Sequence, residues 1–569
     1  MVRFPKRLCR SHCALAASVG VLALQQSALA QSWVVEKVAH SSDPAPDAQG
    51  PLNILMLQGV SRSGAVCFNA ATLPSVSGST RQIVYLWKNG VFTTVASADL
   101  PAPGQPAGTN FMAFNARPTA DGRAAVQAFL TGSSVTTAND TSLWLGAGSG
   151  LGLIAREGSD APGIPGATMS QISGWLMASD DGSFVQRAFL AGANVTMAND
   201  SFILHHAAGI SQPLVREGDP MPGGLPGTVA VIGGQPVVAD GGIALFTLSG
   251  SQTQPALVYG TPGSLQVLAR TGVTLPGLPA GQVMTDASLR YAIARNGRVA
   301  FAAGTGGPQG VYQGVWVGVP GNLSMVIRSG VAAPGLPAGY TVVEANPSNY
   351  PPALYVGSNG HAAVLCGVRN GNGPFELALY RVTDAGAPEL VAFSGTVIGG
   401  EAVGQIDGAS VQVDGAGNIS FVGGGIGFTL FSWSHRSGLQ RVVGHGDVLS
   451  VGMSVPRTVL NLSTESMFNA SIGRHGVATE DGRVAVHAQF TDATTGIFLA
   501  RIPGTCGDVD FNNDGLFPDT QDIADLLAVF GGGACPTPNC DSIDFNNDGL
   551  LPDTDDVGAF LRVFGGGPC

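Results

Sequence analysis

Apolar and polar residues alternate in short runs along most of the chain, and a glycine turn precedes each run. After Asn296-Gly297, for example, Val299 and Phe301 occupy every second position. An Asn-Gly or Asp-Gly turn ahead of such alternation is characteristic of a β-hairpin. The turn glycine recurs at Gly64, Gly122, Gly182, Gly241, Gly297, Gly360, Gly417 and Gly482. Eight copies, roughly 60 residues apart, predict an array of like β units.

The fifth copy shows the plan of one unit. Strands are predicted over 291–294, 298–303, 314–317 and 324–328, and a Gly/Pro-rich loop, APGLPAG, follows the fourth strand. Four short strands per unit, joined by Gly/Pro turns, indicate the blade of a β-propeller. Two stacked β-sandwiches and an open β-solenoid are the alternatives, although units of about 59 residues are long for solenoid coils.

The two ends of the array complement each other. The segment 38–50 matches the fourth-strand-and-loop element of the units, whereas the last unit stops at Pro503-Gly504 without a fourth strand. An N-terminal strand that completes the last unit would leave no open sheet edge. We therefore expect a mainly β fold, with an eight-bladed propeller over 31–505 that the N-terminal strand closes.

The first 30 residues have the pattern of a secretion signal. A positive region contains Arg3, Lys6, Arg7 and Arg10, an apolar run covers 14–24, and Ala28-Leu29-Ala30 ends it in small residues. This pattern predicts cleavage after Ala30 and a secreted or cell-surface protein. We expect no membrane span after the signal is removed, because no later stretch is long and apolar enough.

Charge is distributed very unevenly along the 569 residues. The net charge is −12, yet residues 506–569 contain twelve Asp and a single basic residue, Arg562. The rest of the chain is nearly neutral and has no basic patch, so nucleic acid is not an expected partner. A local excess of carboxylates favours a bound cation.

The acidic tail contains the same sequence twice, at 510–530 and 544–564, with an offset of 34 residues. Acidic or amide residues at positions 1, 3 and 5 with glycine at position 6 are typical of an EF-hand-like calcium loop, in which position 7 contributes a backbone carbonyl. The predicted ligands are Asp510, Asn512, Asp514, Leu516, Asp519, Asp522, Asp544, Asn546, Asp548, Leu550, Asp553 and Asp556. Asp522 and Asp556 would close loops one residue longer than usual, and Asp519 and Asp553 are the alternatives for that role.

An amphipathic helix should follow each loop. Apolar residues recur at helical spacing in both copies and predict two helices that bury each other. The predicted faces consist of Ile523, Leu526, Leu527 and Phe530 in the first copy, and of Val557, Phe560, Leu561 and Phe564 in the second. A Gly-Gly-Gly run ends each helix.

Cysteines flank both copies of the tail repeat. In an oxidising compartment their placement favours the disulfides Cys506–Cys535 and Cys540–Cys569, one per copy, although four cysteines allow three connectivities. Zinc is a weaker alternative because the spacing lacks CxxC pairs. Cys67 and Cys366 lie in strand-like runs and are expected to pack as small apolar residues.

Two resemblances follow from these motifs. The tail resembles a dockerin, the duplicated calcium-loop module of secreted bacterial proteins, in the variant form of planctomycete-type exported proteins. This resemblance implies a cohesin-like or cell-surface anchoring partner. The best body repeat, Asn296-Gly297-Arg298-Val299-Ala300-Phe301, resembles the tandem NxxGxxAF repeat of exported bacterial proteins, a family that implies no activity.

The body has no sequence signature of catalysis: HExxH, GxSxG and P-loop motifs are all missing. Asp121, Asp181 and Asp240 should cap turns, and the adjacent His205 and His206 should face opposite sides of a strand. An arginine repeats in the fourth strand; it ties blades to loops or, alternatively, lines a central channel. The arginines are Arg156, Arg216, Arg270 and Arg328.

These observations favour a secreted, non-enzymatic repeat protein, anchored by its calcium tail, whose body binds a glycan or protein. The alternatives are a propeller-type polysaccharide hydrolase with axial carboxylates and a structural surface-layer component.

Overall fold

The computed structural model describes most of the chain between residues 34 and 565. The described residues are 34–46, 50–72, 81–98, 100–285, 290–345, 354–357, 360–383, 387–415, 417–425, 427–434, 438–450, 452–453, 455–464, 479, 482–501, 509, 511–512, 519–534, 540, 543, 545 and 554–565. The expected signal segment 1–30 lies outside them. No helix of the described part is long and apolar enough to cross a membrane.

The described chain forms eight antiparallel sheets that make up the blades of a β-propeller, as the sequence predicts. The first strand is β1, Val34–His40. Blades I to IV each contain four consecutive strands. Blade I has β2–β5, Leu52–Val60, Val66–Thr72, Arg81–Lys88 and Val91–Ser97; blade II has β6–β9, Asn110–Pro118, Ala124–Thr131, Thr141–Gly146 and Gly152–Arg156. Blade III has β10–β13, Thr168–Ala178, Phe184–Ala191, Ser201–Ala207 and Ile210–Arg216; blade IV has β14–β17, Val229–Val238, Ala244–Gly250, Ala256–Gly260 and Gln266–Arg270.

In blades V to VII two short strands share the place of the inner strand. Blade V has β18–β22, Val283–Met284, Arg290–Ile293, Val299–Gly306, Tyr312–Val319 and Asn322–Arg328; blade VI has β23–β27, Tyr340–Glu344, Leu354–Val356, Ala362–Asn370, Glu376–Val382 and Glu389–Phe393. A small hairpin, β28–β29, Val397–Ile398 and Glu401–Ala402, precedes blade VII, which has β30–β34, Gln405–Ile406, Gln412–Val413, Ile419–Gly424, Thr429–Ser434 and Gly438–Gly444. The four strands predicted for blade V are confirmed, most of them longer than predicted.

Blade VIII closes the ring with both ends of the propeller chain. It contains β35–β38, Val448–Leu449, Arg457–Ser463, Val484–Phe490 and Thr495–Arg501. Its outer strand is β1, which runs antiparallel to β38 with Val34 opposite Arg501 and His40 opposite Gly496. The prediction that the N-terminal strand completes the last blade is confirmed.

The eight predicted turn glycines all connect an inner strand to the second strand of a blade. Their φ angles lie between 70° and 86°, a region that favours glycine because it has no Cβ. This backbone requirement is why the glycine repeats while the strand residues around it vary.

The core lies between neighbouring blades. At the junction of blades VIII and I, Ala485 and Ile497 pack against Leu57, Phe68 and Tyr85, all of them at most 1% exposed. Burial of each large apolar side chain contributes about 1.5–3 kcal/mol. Because such a cluster joins the last blade to the first, the ring is closed by packing as well as by β1.

The tail contains two helices, α1 (Thr520–Phe530) and α2 (Thr554–Phe564). Both were predicted. Their core is small: Phe560 contacts Phe545 and Phe511 edge-on, with ring centroids 4.9 and 6.4 Å apart, and Leu526 is fully buried beside them.

The predicted apolar helix faces are partly wrong. Leu527 and Leu561, at equivalent positions of the two repeats, are 47% and 46% exposed. The loop residues Phe511 and Phe545 pack onto the side of the helices that carries Leu526 and Phe560. The buried arc is therefore narrower than the sequence pattern, and the residue that follows Leu526 or Phe560 turns about 100° away toward solvent.

Candidate functional sites of the propeller and the tail

An ionic network joins the inner-strand turns of four blades on one face of the propeller, here called the turn face. Arg62, in the turn of blade I, donates its backbone N–H to Asp180 of blade III at 2.9 Å. Its guanidinium lies 3.6 Å from the Asp240 carboxylate of blade IV. Blades I and III are not neighbours, so these contacts place the network near the propeller axis.

Asp180 is the most buried charged member of this network. Its carboxylate lies 2.7 Å from the guanidinium of Arg295, in the turn of blade V, and their side chains are only 5% and 12% exposed. Burial raises the pKa of Asp180, and the positive charge of Arg295 partly offsets that effect. A buried carboxylate of this kind destabilises the fold strongly if its ion-pair partner is removed.

Asp181 and Asp240 extend the network between blades III and IV. Ser179 donates its hydroxyl to Asp240 at 2.5 Å, and Gly241 donates its backbone N–H to Asp181 at 2.6 Å. The prediction that these residues cap their own turns is incomplete for Asp181, which bonds Ser183 of its own turn and also caps the turn of the next blade. For Asp240 the prediction is wrong, because its carboxylate accepts from Ser179 and Asp181 of blade III. Asp121 does cap its own turn, by accepting the N–H of Arg123 at 3.2 Å.

Arg62, Asp180 and Arg295 were not predicted as functional residues. The doublet Asp180-Asp181 and Arg295 ahead of Asn-Gly are visible in the sequence, but nothing local indicates that they meet across the axis. The structure thus brings carboxylates close to the axis, where the hydrolase alternative requires them. Asp180 and Asp240 serve there as the counterions of arginines that fasten the blades together.

The opposite face, here called the loop face, carries two matching carboxyl pairs. Glu157 follows the last strand of blade II and accepts the backbone N–H of Thr141 at 3.2 Å and that of Ile172, in blade III, at 2.6 Å. Asp140 lies within hydrogen-bonding reach of the Glu157 carboxyl group. Glu217 and Asp200 repeat this arrangement one blade later.

The repeated arginines hold loops in place. Arg156 donates to the carbonyl of Asn139 at 2.8 Å and to the side-chain oxygen of Gln105 at 2.7 Å, and Arg216 donates to the carbonyl of Asn199 at 2.7 Å. Both arginines end the outermost strand of a blade. The interpretation that they tie blades to loops is therefore supported, whereas a place in the central channel is wrong.

The buried histidines and cysteines of the body are packing residues. His205 and His206 point to opposite sides of β12, as predicted: one bonds the carbonyl of Gly242 at 2.8 Å and the other stacks on Phe184. Cys67 and Cys366 are buried free thiols. Burial raises the pKa of Cys67 to about 12, so this thiol is inert at neutral pH.

In the tail, the N-terminus of α1 collects acidic side chains. Asp519 is the N-cap and accepts the backbone N–H of Gln521 at 2.7 Å, while Asp522 accepts that of Asp519 at 3.0 Å. This reciprocal pair is a capping box built from two aspartates. Asn512 donates its side-chain amide to Asp525 at 2.9 Å, so the loop is fastened to the first turns of the helix.

Four of the twelve predicted calcium ligands are described, namely Asn512, Asp519, Asp522 and Asp556. Asp522 and Asp556 are both 0% exposed. The other eight predicted ligands lie outside the described residues; they are Asp510, Asp514, Leu516, Asp544, Asn546, Asp548, Leu550 and Asp553. Three of the tail cysteines also lie outside them, namely Cys506, Cys535 and Cys569. Within the described part, no three His, Cys, Asp or Glu side chains are grouped so that they could hold a metal ion. The calcium sites and the disulfides, including that of Cys540, stay predictions.

Comparisons with known proteins show what parts of the chain are similar to. Residues 13–179 match a family of unknown function, DUF7453, and no curated protein matches. Among solved structures, the Dos1 propeller is 8% identical, with coverage of 82% of this chain and 95% of that chain and a TM-score of 0.36. The polysaccharide lyase Uly1 is 10% identical, with coverage of 72% of this chain and 97% of that chain and a TM-score of 0.32. The WD40 domain of SCAP from fission yeast is 9% identical, with coverage of 82% of this chain and 98% of that chain and a TM-score of 0.32. The β-propeller of the described chain follows from its own strand pairings and is accompanied by two helices in the tail, and residues 13–179 are similar to a family without an assigned function.

Proposed function

We propose that this chain is a secreted, non-enzymatic binding protein whose calcium-binding tail anchors it. The propeller binds a glycan or protein through loops on one face. The dockerin-like tail, held by the disulfides Cys506–Cys535 and Cys540–Cys569, docks on a cohesin-like or other cell-surface partner.

One observation carries the anchoring half of this proposal. Asp522 and Asp556, 34 residues apart, are completely buried at equivalent places in the two repeats. They belong to a segment with twelve Asp and one basic residue. Burial of carboxylates in so acidic a segment is costly unless a cation balances the charge, and calcium prefers oxygen ligands of this kind. Asp522 accepts the N–H of the N-cap residue Asp519 and therefore stands where the loop meets the helix, as a closing ligand should.

Isothermal titration of the full mature chain with calcium chloride tests the anchor. The wild type should bind calcium at two sites, and Asp522→Asn combined with Asp556→Asn should abolish the heat. Asp555→Asn is the matched control, because Asp555 neighbours Asp556 but is exposed; it should retain both sites. A wild-type chain that shows no heat, with its disulfides intact, would refute the calcium proposal.

The propeller half rests on the fastening of the axial carboxylates by arginines and on the presence of preorganised loops on the loop face. Binding of the mature chain to an array of glycans and extracellular proteins tests it, and release of reducing sugar from the same glycans tests the hydrolase alternative. Sugar release that disappears in Asp240→Asn would overturn the non-enzymatic proposal.

A further inference from the structure

The loop face carries two almost identical loops on neighbouring blades. Residues 132–140 read GSSVTTAND and residues 192–200 read GANVTMAND. In each loop the last Asn side chain accepts a backbone N–H three residues earlier, from Thr136 to Asn139 at 2.8 Å and from Thr196 to Asn199 at 2.7 Å. We name this pair the twin loops. Identical internal bonds mean that both loops have the same built shape.

A carboxyl pair lies under the base of each twin loop. Asp140 ends the first loop, and its carboxyl group meets that of Glu157, which is only 4% exposed. Thr141 bridges the two acids: it donates its hydroxyl to Asp140 at 3.1 Å and its backbone N–H to Glu157 at 3.2 Å. Asp200 and Glu217, the latter 8% exposed, form the corresponding pair under the second loop.

The glutamate also joins two blades. Glu157 accepts the N–H of Ile172 on the inner strand of blade III at 2.6 Å, and Glu217 does the same with Ile232 of blade IV. Any change of charge at the glutamate therefore affects both the base of a loop and the junction with the next blade.

Other blades perform the same task without an acid. In blade V, Ser329 accepts the N–H of Gln313 at 2.9 Å, and in blade VI, Ser394 accepts that of Leu377 at 3.3 Å. A hydroxyl is thus sufficient to cap the third strand. Burial of a Glu beside an Asp in blades II and III is destabilising when both are ionised, so these two blades depart from the simpler solution.

Few charged groups surround the two carboxyl pairs. Asp140 faces Glu157. Arg156, which precedes Glu157 in the sequence, donates its hydrogen bonds to Asn139 and Gln105. Asp200 faces Glu217, and the positive charge of Arg187, which donates to the hydroxyl of Ser201 at 3.3 Å, lowers the pKa of Glu217 in part. Burial raises the pKa of both glutamates and the adjacent aspartates raise it further, whereas the backbone N–H groups that the glutamates accept lower it in part. The first pair, without an arginine such as Arg187 among these influences, should ionise with the greater conformational effect.

We propose that the twin loops are acid-locked: each is held closed by one proton shared between its Asp and Glu, and each loosens when that proton leaves. In the closed form a carboxylic acid donates to a carboxylate, and the pair carries one negative charge. Loss of the proton to solvent leaves two adjacent carboxylates, whose repulsion is relieved when the loop base moves away from the body. The device makes the loop face rigid in acid and mobile at neutral or alkaline pH.

Hydrogen exchange of the full mature chain tests this proposal. Exchange of peptides that span 130–141 and 190–201 is measured between about pH 5 and about pH 8 and corrected for the intrinsic pH dependence of amide exchange. The backbone amides of Leu130 and Leu190 lie at the loop bases and donate to the carbonyls of Asp140 and Asp200 at 2.7 Å. Their protection should fall by about tenfold or more as pH rises. The loop of blade V, 307–311, is the internal control, because Ser329 rather than an acid caps its third strand.

Asp140→Asn and Asp200→Asn are the decisive variants. An amide at this position donates permanently to the glutamate and is nearly isosteric with aspartate, so both loops should stay protected across the pH range. Glu157→Gln provides a second test from the other side of the pair. Equal corrected protection of the wild-type loops at both pH values would overturn the proposal, as would variants that retain the full pH response. Protection restored at neutral pH by calcium chloride alone would also overturn it, since a cation rather than a proton would then join the acids.

Discussion

Removal of the Arg295 guanidinium should destabilise the propeller strongly and in a pH-dependent manner. In Arg295→Met the buried Asp180 loses the partner that lies 2.7 Å away. Loss of one member of a buried pair typically costs about 3–5 kcal/mol. Arg123→Met is the matched control: its pair with Asp121 has the same 2.7 Å separation, but the side chains are 43% and 52% exposed, so the loss should stay below about 1 kcal/mol.

The sign of the pH dependence follows from the pKa of Asp180, which burial already raises. A carboxyl group whose folded pKa exceeds its unfolded value favours the folded state while protonated, and that benefit is lost as pH rises from the unfolded toward the folded pKa. Without Arg295 the folded pKa rises further. The penalty in Arg295→Met should therefore grow above about pH 4, by up to about 1.4 kcal/mol per pH unit within that window.

Urea unfolding of the mature chain at about pH 5 and about pH 8, followed by tryptophan fluorescence, measures this effect. The double variant Asp180→Asn/Arg295→Met should recover part of the stability, because no charge stays buried. A loss in Arg295→Met no greater than in Arg123→Met, or the same loss at both pH values, would refute the conclusion that a buried axial ion pair fastens the blades.

Three further outcomes follow from the fold. Val38→Asp buries a charge in the closing strand, where Val38 is 2% exposed, and should lower the free energy of unfolding by about 3 kcal/mol or more in the urea assay. Glu36→Lys, at an exposed site of the same strand, is the control and should leave this free energy nearly unchanged. Burial lowers the pKa of His487 to about 4, so the free energy of unfolding should fall by up to about 3 kcal/mol as pH drops from about 6.5 toward 4. His487→Leu should remove this part of the acid sensitivity, and an unchanged pH profile in the variant would contradict it. Cys67 and Cys366, buried free thiols whose pKa burial raises, should react with a thiol reagent only in denaturant, and fast labelling of the native chain would show that the strands around them open.

Much of the architecture was readable from the sequence because it depends on local signals. The turn glycines recur where the backbone needs a positive φ, and the missing fourth strand of the last unit identified β1 as its completion.

The contacts of Arg62 and Arg295 with Asp180 could not be predicted from the sequence, because they join residues more than 100 positions apart whose turns meet only after the ring has closed. The carboxyl pairs under the twin loops were missed for a related reason. Asp140 immediately precedes β8 and Glu157 immediately follows β9, so their approach depends on the register of this hairpin. In the tail, helical periodicity located α1 and α2 but assigned Leu527 to the core, because the packing of Phe511 and Phe545 could not be derived from periodicity.

The pairing of β1 with β38 also constrains when the propeller can finish folding. His40 contacts Thr494 across 454 positions of sequence, so the first strand to leave the ribosome waits for nearly the last before it has a partner. Contacts of such long range are slow to form. Until then the edge of β38 and the apolar side chains of β1 have no cover, and a chain that ends before residue 495 keeps them exposed. Premature termination should therefore yield aggregating species rather than a functional seven-bladed remnant, and the closing strand serves as a check on the completeness of synthesis.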